Sequence, residues 1–377
     1  MESRTGEPQK PVLQHSVPAF WPMAAVAAMG QAELELFRRS LKFLLEAQKV
    51  DHGLKPRFAT ANTVMLDLHT LQLRAFGAED AAGVPTLVVA PYAGHSAAIA
   101  DYHKGQSLVQ TLLAAGLARV LVTDWKSASL AMKDYDIDNY LAELNVCVDD
   151  LGGRVNLVGL CQGGWMSAMY AARYPQRVPS LVLAGSPIDT HAGDGPLKRM
   201  VEASPPGFYE ELVTLGGGLM RGRVMLRGWK NMHPDQQYLE KYIRLYERID
   251  DPDYVSKTEA FSAWYENPID LPGRWYLQAI NELFKENRLA QGRFVGLGRR
   301  LSLRDIRCPL YLLAGESDDI TPREQVFAAE RLCGTPGQDV TKAVVPGGHV
   351  GLFMGSRTLQ QNWPQIGKWI LDAGRRG

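Results

Sequence analysis

Four groups in this chain have residue types and spacing suited to nucleophilic chemistry: a thiol, an imidazole, a carboxylate pair and a glycine-containing loop. The thiol is Cys161, in the frame Gly159-Leu-Cys-Gln-Gly-Gly164 between the apolar run Val155–Leu160 and the helix-forming stretch Trp165–Arg173. A strand, a tight turn and a helix in that order form a nucleophile elbow, here with sulfur where serine is usual. Gly159 and Gly163 let the turn be sharp, and Cys161 falls near the positive end of the following helix, which favours negative charge there. The competing reading of the same decamer is a buried, inert cysteine beside packing glycines.

A thiol nucleophile needs a base to handle its proton, and the base needs an acid to orient it. Pro346-Gly-Gly-His-Val-Gly351 offers His349, flanked by glycines after the last apolar run of the chain. Gly315-Glu-Ser-Asp-Asp-Ile-Thr-Pro322 offers Asp318 and Asp319. Asp318 is favoured as the first residue able to turn back toward His349, and Asp319 is the alternative. Nucleophile, acid and His, in that chain order, is the α/β-hydrolase arrangement. An oxyanion hole should combine the amide of Gln162 with one from Pro91-Tyr-Ala-Gly-His95, that is Tyr92 or Ala93. His95 is a candidate substrate contact, as are Asp124 and Trp125 at the end of another strand. Phe208, Tyr209, Trp229, Trp264, Tyr265, Trp275 and Tyr276 are candidates for an apolar channel.

The elements that must hold these groups form a repeated rhythm. Apolar strands are expected at 86–90, 119–123, 155–160 and 180–184, with helices at 104–115, 138–150 and 165–173 between them. After a break the rhythm resumes with strands at 310–314 and 342–345 and helices at 324–332 and 361–373. Strands alternating with helices imply a doubly wound, mostly parallel sheet, with the loops at its carboxyl edge forming the site. Asn62–Phe76 reads as two short alternating strands. The resulting expectation is an α/β-hydrolase fold whose core spans 61–189 and 291–377. A cap insertion occupies 190–290, an N-terminal helical extension 16–60 and a disordered tail 1–15. Within the extension Leu34, Phe37, Leu41, Leu44 and Leu45 form an apolar face that would pack outside the core or against a partner.

Composition narrows the function. The 377 residues carry 41 basic and 41 acidic side chains, so no overall field recruits nucleic acid or an anionic membrane. Four widely spaced cysteines (147, 161, 308 and 333) argue against zinc and against a disulfide framework, and no metal or cofactor is expected. No apolar run is long enough to span a bilayer, and the N-terminus does not read as a signal peptide. A reducing cytoplasm is the expected location, and it would keep Cys161 free.

On these motifs the chain resembles the polyhydroxyalkanoate synthase and intracellular polyhydroxyalkanoate depolymerase superfamily, over roughly residues 62–373. Gly159–Gly164, Pro272-Gly-Arg, Lys285-Glu-Asn-Arg-Leu289 and Gly348-His-Val-Gly-Leu-Phe353 are similar to synthase segments. Ala90-Pro-Tyr-Ala-Gly-His95, Thr123-Asp-Trp125 and Gly315-Glu-Ser-Asp-Asp-Ile320 with Leu332-Cys333 resemble the depolymerase pattern, which generally lacks paired glycines after its Cys-Gln. The resemblance implies a Cys161–His349–Asp318 triad acting on 3-hydroxyacyl esters. The expected function is hydrolysis of intracellular polyhydroxyalkanoate or its oligomers through an acyl-cysteine. The alternatives are a synthase-like acyltransferase polymerising 3-hydroxyacyl-CoA and a non-catalytic granule-associated protein. Expected partners are a polyester, oligoester or 3-hydroxyacyl thioester and a granule surface, with a homodimer left open.

Overall fold

Chain segments that are apolar at every position need cover on both faces, and here they become the middle of a sheet. The structure, a computed structural model, describes residues 31–78, 81–232 and 240–376. Eight strands form one sheet: β1 (Thr63–Asp67), β2 (Leu71–Gly77), β3 (Thr86–Val89), β4 (Arg119–Trp125), β5 (Asn156–Leu160), β6 (Leu181–Ala184), β7 (Leu310–Gly315) and β8 (Val340–Val345). Their order is β1-β2-β4-β3-β5-β6-β7-β8. The pairings of β1 with β2 and of β2 with β4 are antiparallel, and every later pairing is parallel. All residues of β3, β5, β6 and β7 are buried, while the edge strands β1 and β8 carry exposed positions. This is how a parallel sheet sandwiched between helices should read.

The crossovers are α2 (Leu108–Ala114), α3 (Ile137–Asp150), α4 (Gln162–Arg173) and, after β7, α11 (Arg323–Leu332). α2 starts four residues later than its periodicity suggests, because the Ser107 hydroxyl accepts the Gln110 amide and caps the helix there. Asp136 and Asn139 form a reciprocal capping box on α3. The helix expected at 361–373 is α14 (Trp363–Arg376), preceded by the short α12 (Gly351–Met354) and α13 (Ser356–Gln361).

Between β6 and β7 the chain leaves the sheet for α5 (Pro196–Ala203), α6 (Phe208–Leu215), α7 (Gly222–Met232), α8 (Lys241–Glu247), α9 (Pro252–Tyr265) and α10 (Gly273–Gln278), which runs on into a π-helical turn to Lys285. A polar cluster joins the start of this excursion to its end. Asn287, held at φ +50°, donates to Asp189 Oδ1 at 2.7 Å, and Arg331 of α11 pairs with the same carboxylate. The Thr190 hydroxyl adds a 2.6 Å bond to the Leu283 carbonyl. Buried carboxylates require such partners, so this cluster fixes where the excursion departs and returns.

The expected tail 1–15 and the first part of the 16–60 extension lie outside the described residues. The described part contains α1 (Gln31–Gln48), which docks on the cap rather than on the sheet. Arg39 donates to the Tyr246 and Glu247 carbonyls at 3.1 and 2.9 Å, and Phe43 meets Tyr246 edge-on at 5.5 Å. The expected apolar stripe lies elsewhere: Phe37, Leu41, Leu44 and Leu45 are exposed. Charged and aromatic side chains on the other face found acceptors and a ring to pack on, which outweighed the stripe. No described helix is long and apolar enough to cross a membrane.

Candidate active site

α4 begins at Gln162, directly after β5, so Cys161 is itself the hinge between strand and helix. It adopts φ 51° and ψ −119°, a conformation costly for a side-chain-bearing residue and typical of functional turns. Its amide is anchored to the Ala184 carbonyl of β6 at 2.9 Å. The neighbouring glycines are there for space. A Cβ on Gly163 would stand 2.0 Å from the Val89 carbonyl oxygen, one on Gly164 would stand 1.7 Å from Ser186 Oγ, and one on Gly159 would stand 2.4 Å from the Gly164 Cα. The Gly163–Gly164 pair therefore lets α4 pack its first turn onto β3, β5 and the start of the loop after β6.

Asp318 and His349 meet through loops at the carboxyl ends of β7 and β8. Asp318 Oδ2 lies 2.8 Å from His349 Nδ1, while its Oδ1 accepts the amides of Ile320 and Thr321 at 3.0 and 2.8 Å. The carboxylate is thus held by three bonds, and the two loops are tied by Glu316 N to Val345 O and Ser317 N to Gly347 O. Of the two acids it is Asp318 that touches His349, and Asp319 lines the cavity instead. With Nδ1 turned to the acid, Nε2 is left for Cys161, which lines the same cavity and acts on the imidazole electrostatically. Burial alone would push the imidazole pKa down. Electrostatic interaction with Cys161 and with the Asp318 carboxylate, and the hydrogen bond to Asp318, outweigh it and hold the value well above the usual 6.5.

Cys161 and His349 open onto a cavity of about 510 Å³. The core contributes Ala93, His95, Ser317, Asp319 and Gly348, and the cap contributes Trp229 and Met232 of α7 with Phe261, Trp264 and Tyr265 of α9. Ala93 is on the wall, and the Gln162 amide, first in its helix, has no intrahelical acceptor. The Tyr92 side chain is fully buried, its hydroxyl bonded to that of Tyr140 at 2.8 Å, so its main-chain amide is the part left as the alternative to that of Ala93.

Two expected substrate contacts are corrected. β4 continues through Asp124 and Trp125, which pair with Gln72 and Leu71 of β2. Asp124 is engaged by Arg74 Nε at 2.6 Å, and the Trp125 indole donates to the Ala90 carbonyl at 2.8 Å, so neither reaches the cavity. Among the cap aromatics Trp229, Trp264 and Tyr265 line it, whereas Trp275 and Tyr209 are core, Tyr276 packs beside Tyr209, and Phe208 is an exposed surface residue. Met232, Phe261 and Ile320 are wall residues that carried no sequence signal distinguishing them from ordinary core. No cluster of metal-ligating side chains occurs among the described residues.

A family model described as protein of unknown function (DUF3141) matches residues 63–331. The poly(3-hydroxyalkanoate) polymerase subunit PhaC of Allochromatium vinosum is 28% identical over 345 residues, covering 89% of this chain and 93% of that protein. The subunit of the same name from Haloferax mediterranei is 29% identical over 286 residues, 74% of this chain and 57% of its own length. A solved carboxylesterase of Nitrososphaera gargensis superposes over 84% of this chain and all of its own at TM-score 0.52 and 14% identity, which carries the α/β-hydrolase fold alone. The chain is an enzyme of hydrolase or acyltransferase type. It belongs to the DUF3141 family, within the superfamily of α/β-hydrolase-fold proteins that includes the polyhydroxyalkanoate synthases.

Proposed function

We propose that this enzyme is an acyltransferase of polyhydroxyalkanoate-synthase type, using Cys161 as nucleophile, His349 as acid and base, and Asp318 to orient His349. In the first half-reaction the Cys161 sulfur attacks the carbonyl carbon of a 3-hydroxyacyl thioester. The oxyanion is received by the amides of Gln162 and Ala93, and the thiol of coenzyme A leaves with a proton from His349. In the second, His349 Nε2 takes the proton of an acceptor hydroxyl. The acceptor oxygen attacks the acyl-cysteine, an ester bond forms and Cys161 is released. Asp318 holds the imidazole through Nδ1 in the orientation both steps need.

The observation that carries the direction of reaction is the likeness, along 89% of the chain, to a relative named as a polymerase subunit. It outweighs the hydrolase reading favoured by the loops at 90–95 and 315–320. The apolar cap wall supports the same direction, because an acyl-cysteine survives for an alcohol acceptor only where water is kept away. Oligoester or granule-bound chain ends are the partners this reading implies. The test is incubation with 3-hydroxybutyryl-CoA: coenzyme A release with polymer growth is expected, and the Cys161→Ala protein should show neither. Release of 3-hydroxybutyrate from amorphous granules without coenzyme A release would overturn the transferase reading in favour of hydrolysis. Unchanged turnover in Cys161→Ala would remove Cys161 from the mechanism.

A further inference from the structure

A second imidazole, His95, stands on the cavity wall, and the triad chemistry leaves it without a task. Its Nε2 lies 3.0 Å from the main-chain carbonyl oxygen of Tyr265. A carbonyl only accepts, so Nε2 carries hydrogen and donates. The ring stacks on Tyr265 at 5.3 Å with 10° between planes and leans on Trp264 at 4.6 Å. Trp264 is itself fixed by an indole bond to the Ser96 carbonyl at 2.9 Å. These contacts define one orientation and one tautomer.

The side chain is 9% exposed, and burial pushes its pKa down to about 4, so at neutral pH the ring is uncharged. Nδ1 then presents a lone pair, and among the described residues none hydrogen-bonds to it. The ring shares the cavity with Cys161 and His349, and among the described residues no Lys or Arg lines that cavity. A fixed neutral acceptor in a largely apolar pocket is suited to a neutral O–H donor. It offers nothing to a carboxylate or phosphate, which would need a donor or a positive charge.

We propose that His95 Nδ1 accepts a hydrogen bond from an alcohol hydroxyl of the substrate and so selects hydroxylated over plain acyl substrates. That the hydroxyl is the one on carbon 3, or the one on the acceptor chain end, rests on the acyltransferase reading above. The hydrogen bond itself requires only that an acyl group or acceptor carry an O–H. Substrates lacking that group would leave Nδ1 buried and unpaired, the arrangement that gives polar pockets their discrimination.

The test uses matched nitrophenyl esters of 3-hydroxybutyrate and butyrate, which read acylation of Cys161 independently of polymer formation. The wild type should acylate roughly tenfold faster in kcat/KM with the hydroxylated ester, the scale of one hydrogen bond. His95→Phe should bring the two within about twofold by slowing the hydroxylated ester only. His95→Gln, whose amide can both donate to Tyr265 and accept, should restore part of the preference. If the hydroxyl read is the acceptor's, acylation is unselective and His95→Phe instead lowers the share of acyl groups passed to methyl 3-hydroxybutyrate rather than to water. Should the nitrophenyl esters not be turned over, calorimetry on Cys161→Ala with 3-hydroxybutyryl-CoA and butyryl-CoA reads the same preference as affinity. Equal losses on both esters with unchanged acceptor partitioning overturn the proposal, as do equal affinities of the two thioesters for Cys161→Ala together with an affinity for methyl 3-hydroxybutyrate that His95→Phe leaves unchanged. Absence of polymer from 3-hydroxybutyryl-CoA would overturn only the acyltransferase reading.

Discussion

The core wall of the cavity is made of loops that each follow a strand of the parallel sheet, whereas the cap wall is made of the faces of α7 and α9. On the core wall the reactive groups are held by directional bonds: Asp318 accepts three hydrogen bonds, His349 stands between acid and thiol, and Cys161 is pinned to β6 through its amide. The cap wall presents the largely apolar surfaces of Trp229, Met232, Phe261 and Trp264, the last with its indole bonded to the Ser96 carbonyl at 2.9 Å. Hydrogen-bonded geometry fails steeply when one member is altered, while apolar walls tolerate substitution and change what fits. The four cysteines show the same contrast between environments. Cys147, Cys308 and Cys333 are pushed up to about 12 by burial, and only Cys161 has an imidazole beside it.

This contrast between a directional core wall and a permissive cap wall can be broken by measurement. The largest effect should come from Asp318→Asn, which leaves the shape intact but removes the charge orienting His349. Coenzyme A release should fall by roughly 10³–10⁴-fold. A loss under tenfold, or an equal loss in Asp319→Asn, would mean that the acid seen beside His349 is not the one that matters. Trp264→Ala should be milder, raising KM about tenfold and increasing hydrolysis relative to transfer while acylation of Cys161 persists. A collapse of acylation as deep as that of Asp318→Asn would erase the distinction between the walls.

The smallest effect concerns protonation. Because His349 titrates above its usual 6.5, the stability it contributes is fully present below about 6.5 and is lost as pH rises through the folded-state value. Cys161→Ser removes one of the two neighbours whose interaction raises it. The imidazole should therefore titrate at lower pH in that variant, followed by the proton shift of its ring carbons. An unchanged titration would assign the whole effect to Asp318.

Some of this was readable from residue order because it is local. Gly-x-Cys-x-Gly between an apolar run and a helix admits few backbone paths, and a loop rich in glycine after a strand at 346–351 has few uses other than exposing His349. Asp318 and Asp319 are adjacent and chemically alike, so their separation needed the position of His349, 31 residues on. Asp124 and Trp125 resemble site residues by standing at a strand end, yet β4 is longer than its apolar run because β2 pairs with it to the last residue. α1 docks outside the core, as its sequence suggested, but through the face opposite its stripe. Periodicity reports which face is apolar, and the carbonyls at Tyr246 and Glu247 determined which face docks.

By itself the sequence determined the turn that carries Cys161, the loop that carries His349, the order of the site loops and the parallel sheet that presents them, since each follows from near-neighbour sterics and from burial of continuous apolar strands. Tertiary structure alone decided which aromatics wall the cavity, which carboxylate serves the imidazole and how His95 is held. Those outcomes depend on side chains brought together from segments more than a hundred residues apart, such as His95 with Tyr265, and no local pattern carries that information.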